Sequence, residues 1–224
     1  MTAIISLSGK FVFDKEVKVE YLKKFKRIIE DFVKDGNKAV IVTGGGKINF
    51  MYNQAAKKIA DISDEDFDLI GIACTKLNAH LLRSIFGRIA YDDVVKDPTR
   101  VPKTDRPVIV ASGWKPGFSS DMDAVILAKH FKAKTLINLT NVDYVYDKDP
   151  RGHKDAKPLK ELSWDGLQAL VGTEWRPRLD MPFDPIAVKD AKKAGLQLNI
   201  INGNDLVSFR SALHNKPFKG TVVR

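Results

Sequence analysis

The sequence predicts an α/β fold: a three-layer αβα sandwich around a mainly parallel central sheet. Three observations predict it. Short apolar runs with little polar alternation, such as Ala39-Val40-Ile41-Val42 and Val108-Ile109-Val110-Ala111, read as strands covered on both faces. Segments with apolar residues at helical spacing separate those runs. Glycine-bearing turns follow several of the strands, as expected where a strand hands over to a helix.

In order, Ile4 to Leu7 is the first strand, ending at Ser8-Gly9-Lys10. Tyr21, Phe25, Ile28, Ile29 and Phe32 mark a helix closed near Gly36. After the second strand come Gly44-Gly45-Gly46 and a helix over about 47–60. Ile70, Cys74, Leu77, Leu81 and Ile85 form the stripe of another helix, stopped near Gly87. Pro98, Pro102 and Pro107 punctuate a connection to the third strand, and 112–120 is a glycine-containing loop. A helix over 121–131, a strand over 135–139 and a polar loop over 140–158 follow. Ser163 caps a short helix, and Asp184-Pro185 places proline at the first helical position of the next one, which ends at Gly195. A strand over 198–201, a turn at Asn202-Gly203, a helix over 205–214 and an edge strand at Thr221-Val222-Val223 complete the chain.

Composition bounds the function. The 224 residues are 44% apolar and 29% charged, which excludes collagen-like and disordered classes and suits a single domain with a full core. Thirty-seven basic against 28 acidic residues leave a net charge of +9, which favours anionic ligands. The lysines are dispersed without aromatic interleaving, so no nucleic-acid partner is expected. No apolar run approaches a membrane span, no signal peptide is evident, and the single Cys74 forms no intrachain disulfide, so a reducing cytoplasm and no membrane partner are expected.

The chemistry lies in three loops: Ser8-Gly9-Lys10, Gly44-Gly45-Gly46-Lys47 and Gly113-Trp114-Lys115-Pro116-Gly117. In an open parallel sheet the carboxyl ends of the strands share one edge, where ligands bind. Glycines admit backbone N–H groups to phosphate oxygens, and lysines add charge. The alternative is that the glycines only make tight turns. Neither a P-loop nor a Gly-x-Gly-x-x-Gly fingerprint is present.

Thr43-Gly44-Gly45-Gly46-Lys47, the run from Gly113 to Asp121, and Thr140-Asn141-Val142-Asp143-Tyr144-Val145-Tyr146-Asp147-Lys148-Asp149-Pro150 occur in that order, with Ser8-Gly9-Lys10 before and Asp184-Pro185-Ile186-Ala187 behind. With these motifs the chain resembles the amino acid kinase family over nearly its whole length, and within it the uridylate (UMP) kinases of the short archaeal type. The resemblance implies phosphoryl transfer from ATP to UMP, with Mg²⁺ accompanying ATP, in a cytoplasmic homohexamer. It implies an acceptor lobe over about 1–133 and an ATP lobe over 134–224. Gly9, Lys10 and Gly46 would approach ATP phosphates, while Thr140, Asn141, Tyr146 and Asp149 would form the adenine and ribose pocket. Gly45, Asp68, Trp114, Lys115, Pro116, Gly117, Phe118, Ser119 and Ser120 would hold UMP, with Asp68 on the ribose hydroxyls. Lys10, Asp121 and Asp184 would serve the transfer itself. Asp68 and Asp121 are equally readable as acids favoured at helix N-termini, and Tyr146 as loop packing.

The chain departs from the family pattern at two cations. Ser6 stands where the family usually has a lysine, and Phe50 where an arginine is common. Tyr144 replaces a frequent glycine. Two other readings therefore stay open: a non-catalytic nucleotide- or oxyanion-binding protein on the same fold, and a family kinase with another small acceptor. Trp175-Arg176-Pro177-Arg178 reads as a solvated loop or a nucleotide-responsive surface. His80 is expected in the core, Cys74 as a structural thiol, and the Lys23-Lys24, Lys57-Lys58 and Lys192-Lys193 pairs on solvated faces.

Overall fold

The computed structural model describes residues 1–174 and 181–224. Its seven-stranded sheet runs in the order β3-β2-β1-β4-β8-β9-β7, with β1 Thr2–Leu7, β2 Lys38–Thr43, β3 Val108–Ala111, β4 Thr135–Thr140, β7 Glu161–Leu162, β8 Gln197–Asn202 and β9 Thr221–Val223. The β1, β2, β3, β4 and β8 pairings are parallel, and β9 lies antiparallel to β8. Strand order advances from β1 to β2 and β3 on one side and to β4 and β8 on the other. The chain thus reverses direction between β1 and β4, the position at which an open sheet leaves a crevice beyond its carboxyl ends.

Alternation along each strand divides the core in two. Ile5 and Leu7 of β1, Ile41 of β2 and Val110 of β3 face α1 (Val19–Lys34), α3 (Asp64–Phe86) and α7 (Leu206–Leu213). Ile4, Val40, Val42 and Ile109 face α4 (Ser120–His130), α5 (Trp164–Val171) and α6 (Pro185–Lys193). These two faces are the outer layers of the sandwich. Helix α2 (Gly46–Ile59) packs chiefly on α3 and buries only Asn53.

Three expectations need correction. Thr221–Val223 is a strand but not an edge strand, because the two-residue β7 adds outside it; nothing in so short a segment as Glu161–Leu162 carries a periodic signal. The polar loop over 140–158 holds a strand, β5 (Val145–Tyr146), paired antiparallel with β6 (Pro158–Leu159). In α3 the buried residues are Phe67, Ile72, Cys74, Thr75, Asn78, Ala79, Leu82 and Phe86, so Cys74 is buried as expected while Leu77 lies on the outside and His80 is exposed. That helix also starts earlier than its apolar stripe suggests, because Ser63 and Asp66 form a capping box. The Trp175-Arg176-Pro177-Arg178 stretch lies outside the described residues.

Candidate functional site

The carboxyl ends of β1, β2, β3 and β4 bring the glycine loops together. Gly9 and the Gly44-Gly46 turn pack backbone against backbone: a Cβ on Gly9 would overlap the Gly46 nitrogen and the Gly44 carbonyl. Gly46 adopts φ +66°, and a Cβ there would meet the Gly9 and Phe13 carbonyls. Backbone bonds tie the loops to their neighbours, from Gly44 N–H to the Leu7 carbonyl (3.0 Å) and from Ser8 N–H to the Leu139 carbonyl (3.0 Å).

Next to these loops lies a cleft of about 300 Å³, bounded by Gly44 and Gly45, by Asn49 of α2, by Asp68 and Thr75 of α3, by Gly113 and Phe118 to Asp121, and by Phe183 and Asp184. Its walls are held by side chains from helix interiors. Asn78 donates to the Gly44 and Gly45 carbonyls (2.9 and 3.2 Å), which orients the turn. Thr75 Oγ1 accepts from Gly113 N–H (2.8 Å), and Asp68 Oδ2 accepts from Gly117 N–H (2.8 Å). Asn53 is buried and donates to Asn49 Oδ1 and to the Phe67 carbonyl. Asn49, Asn53, Thr75 and Asn78 escaped the sequence reading. Their signal was present: polar residues at i,i+4 on α2 and i,i+3 on α3, on faces that a purely apolar stripe would have filled.

At the base of the cleft Ser6 Oγ donates to Asp121 Oδ1 (3.0 Å), and Asp184 N–H donates to Asp121 Oδ2 (3.2 Å). Burial pushes the Asp121 carboxyl up to about 7, the charge of Asp184 adds to the rise, and the two donors oppose it. Asp184 caps α6: its Oδ1 accepts from Ile186 N–H (2.6 Å) and Ala187 N–H (3.2 Å), with Pro185 at the first helical position. Ser119 caps α4 by accepting from Met122 N–H (3.1 Å). The Ser6 hydroxyl thus occupies the place where a lysine was expected, and it is spent on Asp121.

A second cleft, of about 740 Å³, is lined by residues 140–151 with Leu170, Met181 and Pro182. Thr140, Asn141, Tyr146 and Asp149 all line it. Asp149 is engaged by Arg151, whose guanidinium and backbone N–H hold its carboxyl below the usual range. Tyr144 and Tyr146 meet edge to face at 6.5 Å. Met181 borders both clefts, which places them next to one another.

The remaining expected residues sit around the clefts. Gly9, Lys10, Gly46, Trp114, Lys115, Pro116 and Gly117 are not among the described lining residues of either cleft. Lys10 is exposed on the turn after β1. Lys47 pairs at 3.8 Å with Asp14, a half-exposed pair of little energetic weight. The Lys115 ammonium lies over the Trp114 ring (4.0 Å) and the Phe118 ring (4.8 Å). Phe50 is half exposed on α2. Among the described residues, the smaller cleft is lined by Asp68, Asp121 and Asp184 and by no lysine or arginine. No cluster of three metal-ligating side chains occurs among the described residues.

Comparison with known proteins adds lineage to this geometry. The model of the amino acid kinase family matches residues 1–202. A uridylate kinase from Sulfurisphaera tokodaii is 30% identical over the whole chain and 99% of its own length. The crystal structure of uridylate kinase from Archaeoglobus fulgidus superposes with a TM-score of 0.84 at 29% identity, covering all of both chains. The structure of UMP kinase from Bacillus anthracis, at 20% identity and a TM-score of 0.79 over 100% of this chain and 95% of that one, shares the fold.

Proposed function

The chain belongs to the amino acid kinase family, and from that premise we propose that it is a uridylate kinase, transferring the γ-phosphoryl group of ATP to UMP to give UDP and ADP. The observation that carries this reading is the pair of adjacent clefts at the carboxyl edge of the sheet, one beside the Gly44–Gly46 turn and one along residues 140–151. The full-length similarity to uridylate kinases at about 30% identity supports it.

In this reading the acceptor lobe spans about 1–133 and the ATP lobe 134–224. UMP occupies the smaller cleft against Gly45, Asp68 and the 114–120 loop. The larger cleft takes adenine and ribose through Thr140, Asn141, Tyr146 and Asp149. The ATP phosphates reach across to Gly9, Lys10 and Gly46. Phosphoryl transfer asks the protein for alignment and charge rather than covalent chemistry. Asp121 and Asp184 order the junction between the clefts. Mg²⁺ would accompany ATP and offset the charge on its phosphates, with Asp121 the carboxylate that would orient it. No described helix is long and apolar enough to cross a membrane; a cytoplasmic homohexamer completes the proposal.

One observation favours the second reading, a non-catalytic nucleotide-binding protein. Ser6, 3% exposed, brings a neutral hydroxyl to Asp121 where a cation would serve the transfer. A coupled ADP-release assay across a panel of nucleoside monophosphates, run on the natural chain and on Ser6→Lys, decides between them. UDP formation from UMP by the natural chain supports the kinase. Calorimetric ATP binding with no turnover on any acceptor supports the binding protein, and activity appearing only in Ser6→Lys marks a kinase that has lost its cation.

A further inference from the structure

A buried acid outside the expected site meets the loop that begins at Gly113. Asp123 is 0% exposed, two residues after Asp121 on α4. Its Oδ2 accepts from Trp114 N–H (3.2 Å), and its Oδ1 has no partner among the described residues. A wholly buried carboxyl with an orphan oxygen is costly. That cost persists here beside a loop with a functional assignment. Asp121 and Asp97, from the connection before β3, are the charged groups that face it, and Lys115 in turn faces Asp97.

The loop hangs from three side chains on two helices. Gly113 N–H is held by Thr75, Trp114 N–H by Asp123 and Gly117 N–H by Asp68. The bond at Trp114 fixes the residue whose indole packs edge to face on Phe118 (4.8 Å) and lies under the Lys115 ammonium. Phe118 is itself a wall of the smaller cleft. A chain of contacts therefore runs from Asp123 through Trp114 to Phe118 and ends at the wall of the smaller cleft.

We infer that Asp123 is a positioning residue that sets the shape of the acceptor cleft through the Trp114 amide, and so governs acceptor affinity without governing ATP affinity. The inference rests on the kinase reading for the identity of the acceptor, but its structural half stands apart from turnover. Asp123 touches neither cleft.

The test compares Asp123→Ala with Asp123→Asn, which keeps an oxygen for the Trp114 N–H. Losing a buried hydrogen-bond acceptor predicts a KM for UMP raised about 10-fold or more in Asp123→Ala, with the KM for ATP and kcat within about 2-fold. Asp123→Asn restores the KM for UMP. Asp123→Leu, of similar shape and without an acceptor, gives the same split and stands in if Asp123→Ala does not fold. Equal rises in both KM values, or an Asp123→Asn as impaired as Asp123→Ala, overturn the inference. Amide hydrogen exchange without substrate is the second readout: Trp114, Lys115, Gly117 and Phe118 exchange faster in Asp123→Ala and at the natural rate in Asp123→Asn. Unchanged exchange there overturns the inference even in an active enzyme. A natural chain that neither binds nor phosphorylates UMP, yet shows the exchange difference, sinks the kinase reading and leaves the loop anchor standing.

Discussion

The two clefts are built in opposite ways. The smaller one draws its walls from α2, α3, α4, the turn after β2 and the start of α6, segments up to 140 residues apart, and fixes them with buried side-chain bonds from Asn53, Thr75, Asn78 and Asp121. The larger one is mostly a single stretch, residues 140–151, tied to the sheet at buried Val145, whose N–H donates to Thr221 Oγ1, and otherwise supported by the two-residue pairing of β5 with β6 and exposed ion pairs such as Lys148–Asp155. The difference teaches where rigidity was spent. A contiguous, solvent-facing loop can adjust to the nucleotide it meets. A cavity assembled from distant helices holds its shape before any ligand arrives, at the expense of burying polar groups.

Substitutions break this contrast in order of size. Gly9→Ala places a Cβ into the Gly46 and Gly44 backbone, so the assembled cleft loses its floor. About 3–5 kcal/mol of stability is expected to go, seen as a fall in Tm of about 10 °C. An unchanged melting curve would mean that the two turns are not in contact. Asp121→Asn sets an amide NH₂ against one of the two donors, Ser6 Oγ or Asp184 N–H. Turnover is expected to fall on the order of 10²–10³-fold, with nucleotide affinities changed less; full activity would remove Asp121 from the mechanism.

The pH dependence of stability sharpens the comparison, because burial raises the carboxyls of Asp121 and Asp123 on the rigid side, whereas Arg151 lowers Asp149 and Lys219 lowers Asp143 on the other. Burial, with the charges of Asp121 and Asp97, lifts the Asp123 carboxyl to about 7 from an ordinary 3.8. The folded chain then keeps a proton that the unfolded chain has shed. Stability therefore falls as pH rises from about 4 to about 7 and levels off above. Asp123→Asn removes that loss, so its Tm gain over the natural chain is expected to be several degrees at pH 8 and near zero at pH 4. A gain independent of pH would show that Asp123 titrates normally. The smallest effect lies on the adaptable side. Tyr146→Ala is expected to raise the KM for ATP about 5-fold with Tm within about 2 °C, since Tyr146 is only half-buried and packs edge to face on Tyr144. A loss of stability instead would make residues 140–151 part of the core.

Much of this was legible before folding. The apolar runs located every long strand, and Ser163, Asp184-Pro185 and Gly195 marked helix ends that the structure places within a residue or two. These are local signals, since capping and strand burial act over a few residues. The lining of the larger cleft was legible for the same reason: it is mostly one contiguous motif. The smaller cleft was only half legible. Asp68, Asp121 and the glycine turns stood out, whereas Asn78 and Asp123 did not, because their partners lie 33 or 34 residues away at Gly45 and Gly44, and nine residues back across a loop at Trp114.

The order of residues alone determined the αβα layering, the chain positions of the glycine turns and the family, because periodicity and short motifs are properties of the chain itself. Only the tertiary structure decided that Ser6 meets Asp121, that β7 closes the sheet outside β9, and that the buried Asp123 carboxyl meets the Trp114 amide. Those outcomes depend on which distant surfaces exclude water together, and a hydrogen bond between them has no trace in the spacing of either partner.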